Sequence, residues 1–414
     1  MPKAVSKIGK QKAPTFAGDF PWYSYGNDFG NSEMCGAMIK NGKVLTMSVA
    51  TAFAQVDGGT LRNMGVDMSK SIVIQFEGDG SEWALGESAM LQAAHAIWNG
   101  RGDVMRYASK HNARNICAIS SLLTNDPEYG LLVTCGLPAE TYQSNPDLRK
   151  DIRKSIEGTY TFTMDSGKTW RTCHIEYCST LMEGAGALLS VAKAKSSQSN
   201  TVSSPSACID IGGRTTDLYV AQNGVPIVNM CKGIPLGVVT AEESLKRSFK
   251  TKYQFELRPV EVRQIMFAYA NSEEKERKDY PDITAYGKLI PASELDKLVD
   301  MAVLDTAEAI VSFVASAWRD SDTSTAIAVR FDPCICIGGG SWYFFEALRR
   351  RIKHLQRPSN PVFANAIGYA KVSARQLEKR LIDQEIATAK AATALFVEGD
   401  IEPAEPTQDE QAEA

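Results

Sequence analysis

The sequence predicts an α/β protein of two related domains that face each other across one cleft. Three observations carry this. A glycine loop between strands occurs twice, each copy is followed by an Asn-Gly turn, and a glycine triplet separates a later strand from a helix. The first loop is Asp28-Phe29-Gly30-Asn31-Ser32, with its turn at Asn41-Gly42. The second is Asp210-Ile211-Gly212-Gly213-Arg214-Thr215-Thr216-Asp217, with its turn at Asn223-Gly224. In both copies thirteen residues separate the leading aspartate from the turn asparagine. Asn-Gly between alternating apolar residues is the strongest short hairpin signal, because both residues accept positive φ.

Taken in order, residues 1–19 carry Lys3, Lys7, Lys10 and Lys12 among polar neighbours and are expected to be disordered. Residues 20–190 are expected to form the first domain. It is strand-rich from Tyr23 to Phe76, helical in spacing from Met90 to Ile119 apart from the break at Asn99-Gly100-Arg101-Gly102, and strand again at Leu131–Cys135. The polar run from Lys195 to Ser206 marks a crossing into a second domain, residues 200–355. There the second hairpin leads to a helix opening at Thr240, the N-cap of a capping box Thr240-Ala241-Glu242-Glu243. A charged stretch at Glu273–Lys278, a long amphipathic helix at Glu294–Trp318 and a buried strand at Cys334–Ile337 follow. Gly338-Gly339-Gly340-Ser341 then opens a helix from Trp342 to Ile352. Residues 356–392 are expected to return to the first domain. The acidic tail, 393–414, cannot bury enough apolar surface to fold alone.

Composition narrows the function classes. At 414 residues the chain can hold two full cores. A net charge of −4 argues against general nucleic-acid binding through phosphate neutralisation. No apolar run approaches the roughly 20 residues of a membrane span, and the lysine-bearing start lacks a signal-peptide core, so a cytoplasmic location is expected. Nine cysteines without a regular framework fit a reducing compartment. Cys173-His174 with Cys178 has the spacing of a metal half-site, but no matching half is evident and no metal is expected there, and Cys334 and Cys336 read as small hydrophobes in a strand.

The loops have the chemistry of a phosphate site. Gly30, Gly212 and Gly213 let backbone N–H groups approach a phosphate closely. Asn31, Ser32, Thr215 and Thr216 add side-chain donors. Asp28 and Asp210 would repel a phosphate, but suit outer-shell partners of Mg²⁺, which keeps its waters and takes carboxylate and phosphate oxygens. Gly338, Gly339, Gly340 and Ser341 allow the chain to turn closely under a flat base at a helix N-terminus.

With these motifs in this order, the chain resembles the actin superfamily of actins, heat-shock chaperone ATPases and sugar kinases. Asp28–Ser32 resembles its first phosphate motif, Asp210–Asp217 its second and Ile337–Ser341 its adenosine motif. Glu243 and Lys246 match the Glu-x-x-Lys pair that some branches place against adenine and ribose, three apart on one helix face. More finely, Leu131–Tyr142, Glu183 in Met182-Glu183-Gly184-Ala185-Gly186-Ala187, and Asn365-Ala366-Ile367-Gly368-Tyr369 resemble connecting segments of plasmid-segregation actins of the ParM/StbA type. The resemblance implies an actin-like ATPase fold around a nucleotide cleft that takes ATP or ADP with Mg²⁺. It places Asp28 and Asp210 at the metal through water, and Glu183, Asp210 and Asp217 in the chemistry. It further implies a homopolymeric filament that moves plasmid DNA through a small DNA-binding adaptor, with neither direct DNA contact nor a membrane. Another prokaryotic or phage filament, or a small-molecule kinase on the same fold, would carry the same site. One departure stands out. Many relatives place a lysine six or seven residues after the first aspartate, where this chain has Met34 and Cys35, so Arg214 is expected to help meet the phosphate charge.

Overall fold

The computed structural model describes residues 20–58, 72–92, 97–98, 104–191, 204–270, 279–319 and 326–383, and all structural statements concern these. The polar run 195–206, apart from its last residues, the charged stretch 273–278 and the acidic tail therefore lie outside the described residues.

Each Asn-Gly turn closes a hairpin as its chemistry demands. Asn41 and Gly42 have φ of 51° and 82°, and Asn223 and Gly224 have 53° and 79°, the paired positive values that match the twist of the flanking strands. The first sheet collects β1 (Trp22–Asp28), β2 (Glu33–Lys40), β3 (Lys43–Ala50), β4 (Ala52–Val56), β5 (Ile72–Phe76), β6 (Glu82–Leu85), β7 (Ile97–Trp98), β8 (Glu128–Leu137), β9 (Gly158–Thr163) and β10 (Arg171–Met182). Their order is β3-β2-β1-β8-β10-β9-β5-β6-β4-β7. The second contains β11 (Ser206–Ile211), β12 (Thr216–Gln222), β13 (Val225–Pro226), β14 (Lys232–Ile234) and, after a small hairpin β15–β16 (Thr284–Ala285 and Lys288–Leu289), β17 (Cys334–Ile337). Both sheets repeat one pairing scheme. β1 pairs antiparallel with β2 and parallel with β8, as β11 does with β12 and β17. Two half-molecules of one design are thus visible in the ladders.

Each sheet carries its own core. Tyr25, Leu131, Val133 and Ile175 pack with Ile116 and Ile119 of the helix His111–Leu123. Ile209, Leu218 and Val220 pack with the helices Val238–Tyr253 and Ala292–Trp318. A third cluster joins the halves, with Met182 and Ala187 against Cys208, Tyr219, Ile335 and Ile337. The last helix, Ala364–Asp383, returns to the first sheet. Its alanines 366, 370 and 374 form a small-residue stripe against Cys35, Ala37 and Ile39. Backbones consequently approach closely: a Cβ on Gly26 would lie 1.9 Å from the Ala366 carbonyl oxygen. Among the described residues no helix is long and apolar enough to cross a membrane.

Two expectations are corrected. The helical spacing from Met90 to Ile119 is divided among a short helix Glu87–Gln92, the edge strand β7, a 3₁₀ turn Val104–Ala108 and the helix His111–Leu123. Pairing with β4 claims Ile97–Trp98, so tertiary context overrides the local pattern. The helix expected at Thr240 begins at Val238, with Gly237 as N-cap. Its first donors are met by loop two: Val239 N–H donates to the Gly213 carbonyl (2.8 Å) and Val238 N–H to that of Gly212 (3.3 Å). Thr240, at the third helical position, accepts from the Gly237 N–H (3.2 Å).

Candidate functional site

The two halves meet at their aspartates. Asp28 ends β1, and Asp210 lies in β11 directly opposite Asp217 of β12. Glu183 follows β10, its N–H donating to the Leu137 carbonyl (2.8 Å). The side chain that gathers them is Asn365, 1% exposed at the start of the return helix. Its Nδ2 donates to Asp210 Oδ2 (2.6 Å) and also hydrogen-bonds Asp28. Its Oδ1 accepts from the N–H groups of Gly184 (3.0 Å) and Ala187 (3.2 Å), immediately after Glu183. One amide therefore ties both leading aspartates to the segment that carries the glutamate.

These carboxyls are crowded, and their proton affinities record it. Burial raises Asp28 to about 6, against the bond from Asn365 and the charge of Arg106. Burial raises Asp217 to about 7, against its bond from Thr215. Asp210 and Glu183 lie well above the ordinary carboxylate range. Burial is the main cause for each, and the charges of Asp28 and Asp217 add to it. Carboxyls held this way are poised to accept a proton or a cation.

The loops touch across the cleft. A Cβ on Gly213 would stand 2.0 Å from Ser32 Oγ. Thr51 braces the first loop, its hydroxyl donating to the Gly30 carbonyl and its N–H to that of Ser32, both at 2.8 Å. Asn31 and Thr215 line the cavity between the halves together with Asp217, Glu140, Arg106 and Tyr107. Thr216 points elsewhere, donating to the Leu236 carbonyl (2.8 Å). Gly338, at φ 80°, lies where a Cβ would fall 2.6 Å from Asp210 Oδ1, whereas a Cβ on Gly339 would meet no atom within 4 Å. The triplet thus seats itself against the second aspartate and leaves one face open. Ser341 is fully buried and donates to the Gly338 carbonyl (2.7 Å), so it fixes the turn rather than facing the cleft. Glu243 and Lys246 form an i,i+3 ion pair of 2.9 Å on an accessible helix face.

Two further residues of the site carry little sequence signal. Asn365 was legible only as part of a connecting segment. Arg106 had no local signal: it sits on a 3₁₀ turn and reaches the first loop, donating to the Phe29 carbonyl (2.7 Å). Its charge is felt at Asp28, Glu183 and Asp217. The charge of Arg214, the cation expected here, is instead felt at Glu242, and Arg214 is not among the cavity's lining residues. Met34 and Cys35 are buried in the cores under β2.

Among the described residues no three His, Cys, Asp or Glu side chains converge closely enough to grip a metal ion directly. His174, next to Cys173, uses its ring nitrogens on Thr159 Oγ1 (2.9 Å) and Glu128 Oε1 (2.8 Å).

Comparison with known proteins agrees with this architecture. Residues 26–186 match the family model for the N-terminal domain of actin-like proteins, and residues 208–350 that for the C-terminal part of the archaeal MreB-like actin homologue. Among solved structures the chain is similar to Ta0583, an archaeal actin homologue, at 20% identity and a TM-score of 0.65, covering 85% of this chain and 99% of that one. It is similar to the subunit of a 15-stranded ParM filament from Clostridium botulinum (20% identity, TM-score 0.64, 86% and 100% covered). It is also similar to Bacillus thuringiensis ParM with ATP (14% identity, TM-score 0.62, 86% and 99% covered). No curated protein matches the chain by sequence.

Proposed function

We propose, for a chain that belongs to the actin superfamily, that it is an ATPase whose nucleotide state controls its assembly into a homopolymeric filament. The observation that carries the reading is the convergence of both aspartate-glycine loops on Asn365. A site split between two half-molecules reports cleft closure, and closure can be read by the next subunit.

The residues present fit Mg²⁺ and a nucleoside triphosphate. Four crowded carboxyls without direct metal-ligating geometry suit a hydrated ion rather than a stripped one. Asp28 and Asp210 would hold Mg²⁺ through its waters, and the ion would supply positive charge to offset that of the phosphates. Backbone N–H groups of the two loops, with Asn31, Ser32 and Thr215, would cradle the phosphates. The open face of Gly339 would admit the flat base, with Glu243 and Lys246 further out on the neighbouring helix. Glu183, with its high proton affinity, would orient the attacking water and take its proton, and Asp217 would assist. Phosphoryl transfer needs mainly positioning and charge stabilisation, which two rigid loops provide.

Self-association is supported by the ParM filament among similar structures. Head-to-tail contacts of one surface with another would generate an open polymer. Segregation of plasmid DNA through a DNA-binding adaptor is the use we favour, in keeping with the acidic net charge. The MreB-like match of the second half favours, as a second reading, a cytoskeletal filament without an adaptor. High-speed pelleting and light scattering with Mg²⁺ and ATP, ADP or a non-hydrolysable analogue test the proposal. Polymer that forms with ATP and decays as phosphate is released is the expected result. Tight ATP binding without polymer would overturn the filament reading.

A further inference from the structure

Resting on the ATPase reading, we infer that Arg106 is the residue that recognises the terminal phosphate, in place of the lysine missing after the first loop. Four observations converge on it. Arg106 is only 7% exposed, yet among the described residues it has no ion-pair partner. Its charge is felt at Asp28, Glu183 and Asp217, but none of these closes an ion pair with it, so the desolvated guanidinium keeps donors for an anion that enters the cavity. It borders the cavity between the halves beside Asn31 and Thr215, the side-chain donors of the two loops. Finally, the positions where a lysine would have come from the first loop, Met34 and Cys35, face the core.

The guanidinium is also preset. One Nη donates to the Phe29 carbonyl (2.7 Å), within the first loop, and the other to the Tyr107 hydroxyl (2.5 Å). Its own turn is pinned by the fully buried Asn112, whose Nδ2 donates to the carbonyls of Arg106 (3.1 Å) and Tyr107 (2.8 Å). Of five N–H donors two are thus engaged, and the rest are available to a planar, bidentate anion. A fork held by the first loop itself moves with that loop, so it meets the phosphate only when the second loop is brought up on the other side. A diphosphate, one group shorter, would leave it unmatched.

The test compares the wild type with Arg106→Gln and Arg106→Lys in Mg²⁺, measuring equilibrium binding of ADP and of a non-hydrolysable ATP analogue, then single-turnover phosphate release. For Arg106→Gln the expected result is a loss of ten-fold or more in analogue affinity with ADP affinity within two-fold, and phosphate release slowed on the order of 10²–10³-fold. Arg106→Lys keeps the charge but not the fork, and should recover only part of the loss. It also serves alone if the glutamine variant fails to fold. Equal weakening of ADP and analogue, or no change in either, would show that Arg106 merely braces Phe29, and would overturn the inference. A wild type that binds neither nucleotide would instead sink the ATPase reading, and this inference with it.

Discussion

Asp217→Asn should stabilise the nucleotide-free protein at alkaline pH, although it removes a candidate catalytic group. The carboxyl is 4% exposed, and burial lifts it from 3.8 to about 7. At about 1.4 kcal/mol per pH unit, its neutral form is favoured in the fold by on the order of 4 kcal/mol. Because the folded value is the raised one, this stabilisation is complete below about 4 and is lost as pH rises through about 7. Asparagine cannot ionise, and its Oδ1 can still accept the bond that Thr215 gives to Asp217. The variant therefore keeps the stabilisation at every pH. It also lowers the proton affinity of Glu183, for which Asp217 is the largest single charge. The assay is thermal unfolding in EDTA across pH 4 to 8.5. Wild type and variant should melt together near pH 4, diverge progressively from there to about pH 7 and stay apart above it, the variant ending at least about 5 °C higher at 2–4 °C per kcal/mol. Addition of Mg²⁺ and ATP should then favour the wild type. A difference independent of pH, or a variant less stable at pH 8, would refute the reasoning.

Glu183→Ala should slow phosphate release by about 10²–10⁴-fold while nucleotide binding survives. Equal loss of both would remove its hydrolytic assignment. Asn365→Ala should cost about 2–4 kcal/mol by urea denaturation, since Asp210 and two buried N–H groups lose their partner together. Nucleotide affinity should fall with it, and a variant of unchanged stability would disprove the bridge. Gly368→Ala would drive a Cβ to 1.7 Å from the Gly186 carbonyl oxygen. The helix Ala185–Val191, which carries Gly186, and the return helix must then part, and light scattering should show polymerisation lost before the fold is, at a stability cost of about 1–3 kcal/mol. Filaments of normal rate and extent would show that the crossing does not control assembly.

The repeated hairpins were legible because their turns leave few residues a choice: two consecutive positive φ values select Asn-Gly, and the sequence supplies it twice. The small-residue loops were legible for a similar reason, close approach of backbone. Less could be read between Met90 and Ile119, where helical spacing ran through residues that β4 takes as an edge strand. Arg106 was invisible because nothing local distinguishes it among the 45 lysines and arginines of the chain. Its meaning comes from the carbonyl of Phe29, 77 positions away, and from a neighbouring asparagine that fixes its turn. Asn365 could be placed in a segment but not assigned a role, since its partner Asp210 lies 155 positions earlier. Local conformation was readable, whereas long-range polar pairing was not.

That division explains how one amide can join chemistry to shape. The return helix lies against the first sheet through its alanine stripe, so its start is fixed to the half that carries Asp28. From there Asn365 reaches Asp210 in the other half and the N–H groups behind Glu183. Gly368, one turn on, meets Gly186 with no room for a methyl group. A change of charge at either aspartate must therefore be answered at the helix crossing, where the backbones have no slack. Soft side chains there would absorb the change locally. On the filament reading proposed above, tightly packed glycines would transmit it instead as a rotation of one half against the other, the motion that a neighbouring subunit would sense.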